Sequence, residues 1–202
     1  MSIRDMRVKI IGSYDFTVEG EHYRFNLPYG AAVVTHFLKD HGVDVVLDDI
    51  LVRIMAYNRE PVFSGRSVDV SVFNDARRVL AFLFRAADDA YLDTMLERIT
   101  AALRLEGYDL IGFSVLSYSH FLMALALSKK IKESRQQSKI VLGGTFISRF
   151  RADHFRKADF IDYMIVGDGQ YPLLELIEHL SGSREINDVS SLLYKRGGRV
   201  NT

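Results

Sequence analysis

Three short segments carry the residue types that could hold a ligand. Ser114 to Ser119 (SVLSYS) follows the apolar run DLIGF and sets three serine hydroxyls and a tyrosine at its end. Hydroxyls placed there, with the backbone N–H groups of a following helix, bind polar or anionic groups, and equally they cap that helix. Gly143 and Gly144 come directly after Ile140, Val141 and Leu142, so backbone without Cβ atoms stands where a flat ligand could lie against a sheet. A tight turn between strand and helix accounts for the same pair. Gly167, Asp168 and Gly169 lead into a helical pattern with Pro172 in its first turn. The amides of that turn suit an anion or an amide oxygen, and Asp168 alternatively helps to cap it.

Other chemistries find no support. Gly12 lacks the two further glycines of a G-x-G-x-x-G turn, and no G-x-x-x-x-G-K-[ST] loop occurs. The six histidines show no H-E-x-x-H or comparable spacing, which leaves no metal site to propose. Around Ser114 the sequence GFSVL lacks the second glycine of a G-x-S-x-G hydrolase elbow. The chain has no cysteine, which removes thiol nucleophiles, thiolate metal sites and cysteine-ligated iron–sulfur clusters from its own chemistry.

The elements that must position these segments follow from periodicity. Arg7 to Gly12 reads as a first strand, followed by a long polar loop to Pro28. Val33, Val34, Phe37 and Leu38 repeat at helical spacing up to Gly42, and Val43 to Leu47 gives a second strand ending at Asp48 and Asp49. Residues from about 52 to 104 break this alternation with a turn-like EPVFSG and two helical patterns, and they read as a helical insertion or irregular crossover. Strand, loop and helix resume from Asp109. Further strands are expected at Lys139 to Gly144 and Ile161 to Gly167, a helix at Tyr171 to Leu180, and a hairpin turning at Gly197 and Gly198 within about 189–202. Strands alternating with helices predict an α/β, Rossmann-like (flavodoxin-like) doubly wound, mainly parallel sheet with helices on both faces. Ligands in such sheets sit beyond the carboxyl ends of the strands, which is where the three segments fall.

Length and charge set the wider bounds. The 202 residues, 48% of them hydrophobic, suit one domain with a sizeable core. Lys plus Arg and Asp plus Glu both number 26, so no overall charge draws the chain to nucleic acid or anionic lipid. No leader pattern and no membrane-length apolar run are present, and the expected setting is cytoplasmic.

Taken in order, DLIGFSVLSYS, KIVLGGTFIS, IDYMIVGDGQYPLLELIEHLSG and SSLLYKRGGRV resemble the N-terminal cobalamin-binding-type domain of radical S-adenosylmethionine proteins. The resemblance runs from about Gly107 to the end, more loosely through Pro28 to Asp49, and omits the insertion. It implies a cofactor-binding (cobalamin) module, with Ser114, Leu116, Ser117, Gly143, Gly144, Thr145, Gly167, Asp168 and Gly169 at the cofactor. Ser114-Val115-Leu116 matches the family's S-x-L and Gly143-Gly144 its G-G, while GDGQ stands for the usual G-E-G-E with Gln170 replacing the second acid. The D-x-H-x-x-G motif, whose histidine is the lower cobalt ligand where present, is missing: Asp15 and His22 stand at the wrong separation. Relatives that share this departure either hold cobalamin without a protein histidine or bind none, and the resemblance implies one of these two for this chain.

The family's catalytic half, with C-x-x-x-C-x-x-C, a 4Fe-4S cluster and S-adenosylmethionine, would lie downstream as the partner domain of a methyltransferase or related radical enzyme. A cysteine-free chain is not catalytic alone and is expected to be either a truncated piece or a stand-alone relative, of which the resemblance of GGRVNT to the family's linker hairpin favours the truncated piece. The alternative is a cofactor-free substrate-recognition or interaction domain, which Phe113, Tyr118, Phe121 and Phe146 would produce by filling the cleft. A receiver-like signalling domain would need an aspartate where Ser114 stands.

Overall fold

The structure is a computed structural model that describes residues 2–12, 15–19, 22–26, 28–59, 70–84, 86–134, 137–149 and 152–201. β1 (Arg7–Gly12) alternates as its sequence requires, with Val8 and Ile10 facing one core layer and Ile11 the other. The expected long loop after it is instead a hairpin: β2 (Asp15–Glu19) and β3 (His22–Asn26) pair antiparallel as a separate two-stranded sheet. The signal was there, since DFTVE and HYRFN alternate polar with apolar or aromatic residues at the strand period. The backbone register sets Asp15 opposite Asn26 and His22 opposite Glu19, so these two residues stand at opposite ends of the hairpin.

α1 (Tyr29–Asp40) carries the chain back to β4 (Asp44–Asp49), parallel to β1. α2 (Ile50–Arg59) starts directly after β4, two residues before the expected break, and α3 (Ala76–Leu83) and α4 (Ala90–Leu103) match the two helical patterns. The EPVFSG segment lies outside the described residues. Next come β5 (Leu110–Ser114), α5 (Tyr118–Glu133) and β6 (Lys139–Gly143). α6 (Ala152–Lys157), absent from the periodicity reading, precedes β7 (Tyr163–Ile165) and α7 (Gln170–Ser181). β8 (Leu192–Arg196) and β9 (Arg199–Asn201) form the expected hairpin and add antiparallel to the sheet edge.

The main sheet has the order β4-β1-β5-β6-β7-β8-β9, and its first five strands are parallel. Those five, numbered among themselves in chain order, read 2-1-3-4-5, so the winding direction reverses between β1 and β5. One face is covered by α4, α5 and α6, whose apolar residues join Ile11, Ile111, Phe113, Ile140 and Leu142 in one core. The other is covered by α1 and α7, packed on Val8, Ile10, Leu110, Val141 and Ile165. Leu92, Leu96, Ile99 and Leu103 of α4 are fully buried; each contributes about 1.5–3 kcal/mol relative to exposure.

The α4 face also holds a buried charge. Lys9 of β1 is 3% exposed, with Nζ 3.0 Å from Asp48 Oδ2, and it donates to the Leu103 carbonyl at the C-terminal end of α4. Terminal helix carbonyls favour a cation. Arg53 of α2 donates from Nε to the other Asp48 oxygen at 2.7 Å. The pair therefore ties β1 and β4 to the helices that follow.

Candidate functional site

At the carboxyl ends of β1, β5, β6 and β7, a cleft of about 280 Å³ opens between the sheet and helices α1 and α7. It lies at the reversal of strand order, where an outgoing helix on each side leaves the strand ends uncovered. Its floor is apolar: Ile10, Gly112, Val141 and Ile165 from the sheet and Leu173 from α7. The registers Ile10↔Gly112 and Gly112↔Val141 make the first three neighbours in one row across the sheet. Gly112 has no side chain to stand between the other two. A Cβ there would come within 2.9 Å of Ile10 Cδ1 and 3.4 Å of Val141 Cγ1.

The rim is polar and more exposed. It comprises Ser114 and Leu116 after β5, Gly143, Gly144 and Thr145 after β6, and Gly167, Asp168, Gly169 and Gln170 between β7 and α7, with Tyr29 and Gly30 opening α1. The N-cap positions of α1 and α7 are Pro28 and Gly169, neither of which supplies a side-chain cap, so the first-turn N–H groups of both helices stand beside the rim without a cap from that position.

Eight of the nine residues singled out from the sequence thus line one cleft. Ser117 does not: its hydroxyl caps α5 by accepting from His120 N at 3.4 Å and contacts Ser119 Oγ at 3.1 Å. Capping is therefore real for Ser117, while Ser114 remains at the cleft. Asp168 stands the other way, exposed at the rim and making no cap to α7.

The two adjacent glycines differ in cause. Gly144 has φ +105°, and a Cβ there would lie 2.5 Å from Val115 O and 2.7 Å from Val115 N. Packing of the two loops alone requires it. Val115 is fixed there because its N–H donates to Gly143 O at 2.8 Å and its carbonyl accepts from Phe146 N at 3.1 Å. A Cβ on Gly143 would meet nothing within 4 Å. The fold does not need that glycine, and the space its missing side chain leaves belongs to the cleft.

The aromatic residues do not close the opening. Phe113 and Phe121 are buried in the α4–α5 core, and Phe146 packs against that core with ring centroids 5.9 Å from Phe121 and 6.0 Å from Tyr118. Of the four, only Phe113 borders the cleft. Burial, and secondarily the nearby Asp162, pushes the Tyr163 phenol above its ordinary value, so it stays neutral where it continues the row as the neighbour of Val141. The described lining contains a single charged side chain, Asp168, and no lysine, arginine or histidine. His120 sits instead by a small cavity with Ile11 and Met123, and His179 Nδ1 is 3.0 Å from the Arg184 carbonyl.

Sequence reading passed over Gly112, Tyr29, Gly30, Val33, Val34 and Leu173 as cleft residues. For Gly112 the signal was a glycine inside a buried strand, which marks close approach of other atoms. The α1 and α7 residues had no local signal, because their helices meet the sheet only in the tertiary fold.

A family model described as B12 binding domain matches residues 67–177, more than half of the chain. No curated protein matches. Among solved structures, the cobalamin-dependent S-adenosylmethionine radical enzyme OxsB with aqua-cobalamin and S-adenosylmethionine bound is 16% identical with a TM-score of 0.61, covering 98% of this chain and 22% of that one. The radical S-adenosylmethionine methyltransferase TsrM from Kitasatospora setae, with cobalamin and a [4Fe-4S] cluster bound, is 17% identical with a TM-score of 0.53, covering 96% and 28%. At these identities the likeness is one of fold, and the chain spans under a third of either structure's length.

Proposed function

The chain belongs to the B12-binding domain family, and from that premise we propose that its cleft seats the nucleotide tail of cobalamin while the corrin lies across the carboxyl edge of the sheet. The observation that carries this is Gly143: a position open to the cleft, beside Ser114, where the fold itself would accept a side chain. Size supports the division of the ligand. A cleft of about 280 Å³ falls just under the ~300–1,000 Å³ that whole drug-sized ligands occupy, so it suits the heterocycle of the tail and leaves the ring outside.

In this reading Gly143 admits the heterocycle, and Gly144 holds the β6 loop tightly against Val115 so that the opening keeps its shape. Ser114 and Thr145 hydrogen-bond the polar part of the tail at the rim. Gly167, Asp168 and Gly169 bring the uncapped start of α7 to the same edge, where its N–H groups bind amide or phosphate oxygens. Leu116, 36% exposed, offers apolar surface to the ring. When bound, the cobalt supplies a carrier for a methyl group. By analogy with OxsB and TsrM, the chain presents that cobalt to a radical S-adenosylmethionine domain of the same protein, which supplies the 4Fe-4S cluster and the chemistry a cysteine-free segment lacks.

Titration of the purified chain with hydroxocobalamin tests the binding step. We expect a shift of the visible spectrum and co-migration of the pigment with protein in gel filtration at a 1:1 ratio. No shift and no co-migration would overturn the proposal in favour of a cofactor-free recognition domain.

A further inference from the structure

We propose that the cleft selects among cobalamin-type cofactors by their lower base, taking an apolar benzimidazole and disfavouring a purine. This rests on the reading that the tail enters the cleft.

The selectivity follows from where polar atoms are and are not. The floor side chains are Ile10, Val141, Ile165 and Leu173, each at most 5% exposed, and Gly112 adds none. The backbone beneath them is not available either. β5 is paired on one side to β1 and on the other to β6, and β6 is paired to β7, so the N–H and carbonyl groups of the floor are committed to the sheet. Every polar side chain of the described lining (Tyr29, Ser114, Thr145, Asp168 and Gln170) lies at the rim. A dimethylbenzimidazole inserts two methyl groups and a hydrocarbon ring edge, all of which gain from apolar contact. An adenine inserts an exocyclic amino group and ring nitrogens, which leave water and find no partner on the floor. In an apolar pocket even one methylene is worth about 10–200-fold, and we expect the benzimidazole form to bind at least about tenfold more tightly.

The opposing influence is identifiable. Adenine is the less basic ligand for cobalt, so freeing the base from the metal favours the purine form. A measured preference for benzimidazole therefore has to come from the protein.

The experiment compares three probes by calorimetry on the intact chain: cobalamin, the same corrinoid with an adenine base, and cobinamide, which has no base. It is repeated on Gly143→Val, whose Cβ meets nothing within 4 Å, with far-UV circular dichroism and the urea midpoint verifying that the fold is retained. Expected are cobalamin tightest, the adenine form at least about tenfold weaker, and a Gly143→Val protein that binds cobalamin no better than cobinamide while its cobinamide affinity is unchanged. If cobalamin and the adenine form bind within about twofold, the inference fails while the binding reading stands. Cobinamide binding as tightly as cobalamin, or Gly143→Val without effect, would likewise remove the base from the cleft. If none of the three binds, it is the binding reading that fails.

Discussion

Replacing Gly144 with alanine puts the loop geometry to a direct test, because its neighbour supplies the control. At φ +105° an alanine backbone is strained, which costs about 1–3 kcal/mol. Its Cβ would stand 2.5 Å from Val115 O and 2.7 Å from Val115 N, both backbone atoms, so relief requires one loop to move away from the other. That motion stretches the bonds from Val115 N to Gly143 O and from Phe146 N to Val115 O, each worth about 0.5–1.5 kcal/mol. The expected loss is about 2–6 kcal/mol, a large part of the ~5–15 kcal/mol of a typical domain. Gly143→Ala, one residue earlier, places its Cβ in open space and should stay within about 0.5 kcal/mol of the parent. Urea unfolding followed by circular dichroism reads both as midpoint shifts at constant slope. A loss under about 1 kcal/mol for Gly144→Ala, or equal losses for the two variants, would refute the assignment of separate causes to the two glycines.

Lys9→Met leaves Asp48 buried without its lysine, though Arg53 still holds one oxygen, and should cost about 3 kcal/mol in the same assay. Lys9→Met with Asp48→Leu removes both charges and should recover more than half of that loss, and a double variant as unstable as the sum of the singles would count against a coupled pair. For Asp89, the hydrogen bond from Arg78 and then the Leu92 N–H hold the carboxyl down at about 2. Its folded value lies below its unfolded one, so the contribution is complete above about pH 4 and disappears as pH falls through about 2. The stability gap between the parent and Asp89→Asn should follow that window, and a gap unchanged at pH 2 would exclude the Arg78 pairing as its source.

The sequence by itself determined where most of the sheet strands and the longer helices lie, though not α6. β1 (Arg7–Gly12) is bounded as its apolar run is, and α4, α5 and α7 lie where their 3.6-residue patterns fall. It also placed Ser114 and Gly143 at strand ends and Gly167 just beyond one, because a buried run closed by a small residue is a local signal. The β2–β3 hairpin was equally local and was hidden by its polar composition, which outweighed a strict two-residue alternation.

What only the tertiary structure decided is which of these ends face one another. The order 2-1-3-4-5 brings Ile10, Gly112, Val141 and Leu173 around a single opening although 163 positions separate the first from the last (10 to 173). The same packing separated residues that look alike in the sequence: Ser114 lines the cleft and Ser117 caps a helix, Gly143 yields space and Gly144 merely fits beside Val115. It also matched Lys9 with Asp48 and with the carbonyl of Leu103, an encounter no spacing announces. Side-chain period and turn chemistry act over a few residues, whereas the cleft exists only once strand pairing and helix packing have closed distances that those local preferences cannot reach.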